Sequence, residues 1–210
     1  MRSGKAAPLH PALRSQTILQ MGGLATVKQG AEVQLYRIAS STLSGGFQSR
    51  MYKAVREKLG AAYGVQGGIY RLDTDGRHLF SVKAAVDHDR AVAAMAAMRE
   101  EYALWWEKGI TQDEMDDVRG RMRTGRAEAM RNPAGIAGTL INGLSLGRPD
   151  DMIAMDEAQL ARITVAEVNA FIRVNLPRPP LAFVIVGPEN AAFKVDCVIK
   201  AVEEADRCRQ

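Results

Sequence analysis

The sequence predicts an α+β domain in which a mostly antiparallel sheet is covered by helices, and three observations carry that expectation. Two adjoining segments, 62–71 and 80–86, alternate side-chain character with the period of a strand. Most of the chain beyond residue 90 spaces its apolar residues three and four apart, the period of a helix. Two of the helical stretches open on a Thr-x-x-Glu signature, at Thr111/Glu114 and Thr164/Glu167. The 210 residues, 47% apolar and 25% charged, can build one core that removes roughly 70% of the unfolded chain's surface from water. No internal repeat or low-complexity stretch divides them, so residues 1–14 are expected to be a linker and 15–210 a single domain.

Gln16 to Met21 predicts a short strand closed by Gly22 and Gly23. Glu32 to Leu43 predicts a helix that places Leu35, Tyr36, Ala39 and Leu43 at core spacing and ends at Ser44-Gly45-Gly46. In the next helix Phe47, Met51, Val55 and Leu59 recur every four residues as a buried stripe, leaving Arg50, Lys53, Glu57 and Lys58 towards water. Gly60 stands where a left-handed helix cap is wanted. The strand after it puts Tyr63, Val65 and Ile69 on one face and Ala62, Gln66 and Tyr70 on the other, and the turn residues Asp73, Asp75 and Gly76 pair it with the alternating Phe80, Val82, Ala84 and Val86 as a hairpin.

Val92, Met95, Met98, Tyr102 and Trp105 form the stripe of a further helix stopped by Lys108-Gly109. Ile110/Met115 and Ile163/Val168 are spaced as hydrophobic staples beside the two capping boxes, so helices are expected from Thr111 to about Arg131 and from Thr164 to just before Pro177. Between them a Gly-containing helix runs through Ile136, Leu140 and Leu144 to near Gly147. LAFVIVG at 181–187 has the length of a buried strand and falls far short of the ~20 residues a membrane crossing needs. A last amphipathic helix is expected through Phe193, Val198, Val202 and Ala205. Within it Cys197 and Cys208 would lie about 16 Å apart, too far for a disulfide, and two unpaired cysteines favour a reducing compartment. No apolar h-region precedes Pro8 and Pro11, so no secretory signal is read and the cytoplasm is favoured over the periplasm.

Several kinds of chemistry are excluded on the same residues. His10, His78 and His88 have no second histidine or glutamate at zinc-ligand spacing, so no metal site is expected in this chain. Gly143-Leu-Ser145-Leu-Gly147 matches the G-x-S-x-G nucleophile elbow, yet no histidine comes after Ser145 and the preceding residues are helical. The arginines at 119, 121, 123, 126 and 131 share their helix with Asp113, Glu114, Asp116, Asp117 and Glu128, which reads as a solvated face. The net charge of +4 is a mild excess of the kind that more often reflects solubility than a polyanionic partner, and the lack of aromatics among these arginines argues further against nucleic acid. There remain Arg56, which flanks the buried stripe of its helix, and Tyr63, second in the strand after the Gly60 turn. A sharp turn there brings a fixed cation towards a neutral hydrogen-bond donor, although periodicity alone favours a surface arginine and a core tyrosine with its hydroxyl at the rim.

The run from Ser44 to Tyr63, SGGFQSRMYKAVREKLGAAY, resembles the signature of the non-catalytic half-domain of the pitrilysin (insulinase) family of zinc metallopeptidases. Val55-Arg56-Glu57-Lys58-Leu59-Gly60 corresponds to the family's L-R-E-K-x-G-like segment, with valine in place of leucine. The run LGRPDDMIAMDEAQLARITVAEVNAFIRVNL and a strand ending VIVGP resemble the family's closing pattern, so the likeness extends from about residue 15 to 190.

The resemblance implies two α+β halves around a chamber. One half carries H-x-x-E-H and the zinc; the other is metal-free and supplies an arginine and a tyrosine to the peptide. It implies that this chain is the metal-free half and part of a zinc metalloendopeptidase, inactive alone. Arg56 and Tyr63 then contact peptide and oxyanion, and Ser44, Gly45 and Gly46 line the chamber entrance. No cofactor is implied in this chain itself. The implied partners are an H-x-x-E-H half, as a subunit or an upstream domain, and a peptide substrate. A structural or assembly subunit of the same fold, as in the respiratory cytochrome complex, is the alternative.

Overall fold

The computed structural model describes residues 5–7, 16–28, 30–71, 76–145, 147–190, 192–199 and 202–208. Six strands form one sheet in the order β3-β4-β2-β5-β1-β6. β2 (Gln16–Thr26), β3 (Ala62–Arg71), β4 (Arg77–Asp87) and β5 (Ala182–Val186) pair antiparallel with one another. The short β1 (Lys5–Ala7) runs parallel to β5 and to β6 (Cys197–Val198). β1 falls inside the stretch expected to be a linker; His10 lies outside the described residues.

β2 does not stop at Gly22 and Gly23 as expected but continues through them, paired with β4 over its full length. The glycines answer to close contact, not to chain reversal. A Cβ on Gly22 would lie 2.7 Å from the Phe80 carbonyl oxygen, and one on Gly23 would lie 2.7 Å from Pro177.

Leu19, Met21, Phe80, Val82, Ala84, Val86, Val65, Phe183 and Ile185 are buried on the sheet's inner face. Above them lie α1 (Ala31–Ser44), α3 (Ala91–Lys108) and α7 (Val165–Asn175), with Met98, Tyr102 and Trp105 fully buried on α3. The Trp105 indole N–H donates to Thr42 Oγ1 at 3.1 Å and the Tyr102 hydroxyl to the Pro177 carbonyl at 2.6 Å, so neither buried aromatic leaves its polar end unpaired. Burial pushes the Tyr102 phenol far above its ordinary pKa. The opposite face carries exposed Leu24, Tyr70 and Val184, so β5 is buried on one side only, unlike the fully buried strand expected of LAFVIVG.

Both capping boxes form. Thr111 and Thr164 each accept from the backbone N–H of the glutamate three residues on, and that glutamate's carboxylate accepts from the threonine N–H. They open α4 (Gln112–Ala129) and α7, with the staple pairs Ile110/Met115 and Ile163/Val168 buried beside them. Between these two helices run α5 (Pro133–Ser145) and α6 (Met152–Arg162). Sequence patterning does not single out 152–162, yet it is the element α4 braces against. Arg119 donates to the Leu160 and Ile163 carbonyls, and Arg126 pairs with Glu157 and Asp156. The expected solvated face is therefore, at those two positions, a clamp between helices. Among the described residues no helix is long and apolar enough to cross a membrane.

The C-terminal segment departs from expectation. Instead of an amphipathic α-helix it forms β6 and a 3₁₀ turn at Val202–Cys208, and Cys197 and Cys208 are joined in a disulfide with Cα atoms 5.7 Å apart. Breaking the helix is what brings the sulfurs together.

Candidate functional site

The segment that carries Arg56 begins as a single α turn, α2 (Arg50–Tyr52), and widens into a π turn over Lys53–Lys58. Ser49 starts it, so Phe47 sits in the preceding turn, 72% exposed, and not in the buried stripe expected of it. Met51 and Val55 are buried as predicted. Phe47 instead packs edge-on against Tyr52, with ring centroids 5.0 Å apart, and the Arg56 guanidinium lies 5.7 Å from the Tyr52 ring centre. Wide π turns inside helices are frequent at functional sites, and this one contains the candidate arginine.

Gly60 adopts φ +57°, the left-handed conformation expected of it, and the Ala61 N–H reaches back to the Val55 carbonyl at 3.0 Å. An Arg90 Nη1 stands 2.8 Å from where a Cβ on Gly60 would be and donates to the Leu59 carbonyl. This turn returns the chain under α2, and Arg56 Nη1 donates to the Ala62 carbonyl at 3.1 Å. The guanidinium is thereby fixed to the first residue of β3.

Ala62 pairs with Val86 but Gly64 with Ala85, which makes Tyr63 the extra residue of a β-bulge. The bulge also corrects the expected faces. Ala62 joins Val65 on the buried side, because one inserted residue shifts the alternation by one. The Tyr63 side chain lies outside the described residues. Arg56, Gly60, Ala61, Ala62 and Asp87 line an open cleft of about 440 Å³.

The Ser44–Gly46 turn lies at the other end of α2, on the order of 10 Å along the helix from Arg56. Ser44 is buried, its hydroxyl donating to the Ser40 carbonyl at 3.3 Å and seated over β3 where a Cβ on Gly67 would come within 2.0 Å. Gly45 offers its carbonyl to Arg121 Nη1 at 2.7 Å, and Gly46 takes φ +88°. Just after this turn Arg50, expected to face water, is only 17% exposed. It holds Glu114 through two hydrogen bonds of 2.6 and 2.7 Å and the Gly109 carbonyl through a third of 2.8 Å. Burial alone would raise the Glu114 pKa, but the Arg50 and Thr111 hydrogen bonds outweigh it and hold the carboxyl below its ordinary range. Sequence spacing offers no sign of this pair, because its members are 64 positions apart.

The remaining candidates are structural. His78 Nε2 meets the Val27 carbonyl at 3.1 Å and His88 Nδ1 meets Thr17 Oγ1 at 2.9 Å. Among the described residues no group of three or more His, Cys, Asp or Glu side chains is gathered where a metal could bind. Ser145 ends α5 and donates to the Asn142 carbonyl at 2.9 Å, within its own helix.

The described residues thus present a helix-covered sheet whose bulged edge strand lies under a glycine-capped arginine helix, with His78 and His88 held by a backbone carbonyl and a hydroxyl. The profile of the peptidase M16 inactive domain matches residues 11–122, and the chain belongs to that family. It is 26% identical over 181 residues to an uncharacterized zinc protease of Streptomyces coelicolor, covering 83% of this chain and 37% of that protein. The peptidase M16 inactive domain from Pseudomonas fluorescens superposes with a TM-score of 0.77 at 23% identity, over 92% of this chain and 45% of that one. The inactive peptidase domain from Bordetella parapertussis gives 0.64 at 16% identity, over 88% of this chain and 99% of that one. The chain thus spans under half the length of the first two relatives.

Proposed function

We propose that this chain is the metal-free half of a zinc peptidase, supplying peptide-binding and oxyanion-stabilising groups to an active site completed by an H-x-x-E-H half. The observation that carries the reading is the Arg56 guanidinium tied to the Ala62 carbonyl, next to the bulge at Tyr63, on a strand with no neighbour on its outer side among the described residues. A strand edge offers unpaired backbone groups to an extended peptide. The adjoining guanidinium, with its planar fork of N–H donors, holds peptide carbonyl oxygens. The Tyr63 hydroxyl, a hydrogen-bond donor, stabilises the oxyanion formed when water adds to the scissile carbonyl. A zinc ion held by the other half would supply activation of that water and polarisation of the carbonyl.

The test is reconstitution. The purified chain supplied with zinc should leave a fluorogenic peptide intact, and an equimolar mixture with the H-x-x-E-H half from the same genome should cleave it. Cleavage by the chain alone, or none by the mixture, overturns the reading. A stable complex whose turnover ignores Arg56 makes the chain an assembly subunit.

The compartment belongs to the same proposal. The Cys197–Cys208 disulfide favours an oxidising environment over the cytoplasm, reversing the inference from two unpaired cysteines. Protein isolated under alkylating conditions should show no reactive thiol before reduction and two after it. Two labelled cysteines before reduction would return the protein to a reducing compartment.

A further inference from the structure

α5 is built inside out. Gly135, Thr139 and Gly143 form its inward stripe at intervals of four, close enough that a Cβ on Gly135 would meet the Ala129 carbonyl at 2.1 Å and one on Gly143 the Met152 sulfur at 2.3 Å. The neighbouring stripe, with the same interval, is Ile136, Leu140 and Leu144, flanked by Ile141, and these are 40%, 50%, 74% and 66% exposed. No residue from Pro133 to Ser145 is charged. Water-facing helices ordinarily put small or polar residues outward and large apolar ones inward. Here four large aliphatic side chains are exposed on one helix, the kind of apolar face that marks a contact surface.

We infer that this face of α5 is where the H-x-x-E-H half docks, an inference that rests on the function proposed above. Two observations select that occupant. More than half of the Streptomyces coelicolor and Pseudomonas fluorescens relatives lies outside the part this chain matches, so each holds a further portion large enough to cover the patch. The helix that carries the patch also borders the candidate site through its other face. Thr139 and Asn142 of α5 line one cleft with Arg121, and Arg121 holds the Gly45 carbonyl in the turn that opens α2. A half seated on α5 therefore reaches the side of the domain from which α2 leads to Arg56. A membrane surface is disfavoured, because a helix lying on lipid needs a basic or strongly polar face and α5 has none.

The probe is the purified H-x-x-E-H polypeptide of the same genome, mixed with this chain carrying Ile141→benzoylphenylalanine. Illumination should cross-link position 141 to that polypeptide, and the Leu140→Glu/Leu144→Glu variant should bind it at least ~30-fold more weakly, the loss expected when central apolar contacts are removed. Because both leucines face solvent, the variant should keep the parent's circular dichroism and melting temperature. Cross-links joining two copies of this chain would assign the patch to self-association and overturn the inference. If position 141 stays unlinked, or the double variant binds normally, while the mixture still cleaves peptide in an Arg56-dependent way, the docking face is wrong and the functional reading stands. If the mixture neither associates nor cleaves, both fall.

Discussion

In the reconstituted peptidase, Tyr63→Phe should lower kcat by about 10²-fold or more while leaving KM nearly unchanged, and Arg56→Ala should act chiefly through KM. The split comes from what each group binds. A donor used only by the oxyanion stabilises the transition state and not the bound peptide, so its loss appears in kcat, with the magnitude typical of one such donor. A guanidinium holding substrate carbonyls contributes to both states, and uniform binding lost appears in KM. Arg56 is half-buried and bonded to the Ala62 carbonyl. Its removal also releases the start of β3, so Arg56→Lys is the needed control. A lysine restores charge but not the planar two-point hydrogen bonding of a guanidinium, and should recover only part of the loss. Steady-state kinetics on one fluorogenic peptide settles the pattern. Unchanged rates in Tyr63→Phe would remove the phenol from the chemistry.

The largest stability effect is expected from Arg50→Ala, at about 2–4 kcal/mol, because it strands a partly buried Glu114 and the Gly109 carbonyl at once. The lower end is favoured, since Arg50 and Glu114 keep 17% and 28% of their side chains in water. For a chain of this length that corresponds to a drop in Tm of roughly 5–10 °C.

The pH dependence gives a second readout. The folded Glu114 pKa lies below its unfolded value, so the unfolded chain takes up the proton first. The pair's contribution is complete above the unfolded carboxyl's value of about 4.3 and is lost as pH falls through the lower folded value. The Tm difference between wild type and Arg50→Ala should therefore be constant near neutrality and shrink below about pH 4. A difference that persists unchanged in acid would mean that Arg50 acts through packing and the Gly109 carbonyl, not through its ion pair. Because Arg50 opens α2, the same variant should also weaken the Arg56 site without touching substrate.

The parts of this protein legible in its sequence are those set by neighbours in the chain. The two capping boxes, the hairpin of β3 and β4, the stripe of α3 and the left-handed Gly60 all arise from residues within a few positions of one another, where backbone sterics and local hydrogen bonds decide the outcome. The run from Ser44 to Tyr63 identified the family for the same reason, since turn, helix and strand start are contiguous. Tertiary structure alone decided what depends on distant partners. Gly22 and Gly23 read as a strand end, but Phe80 and Pro177 press against them in the fold and the strand runs on. Arg50 reads as solvated, but Glu114 meets it across 64 positions, and Cys197 and Cys208 come together only because a strand and a 3₁₀ turn replace their expected helix. Periodicity reports how a segment would fold on its own face, whereas burial, ion pairing and the outward leucines of α5 depend on which other surface arrives there, and that information is spread over the whole chain.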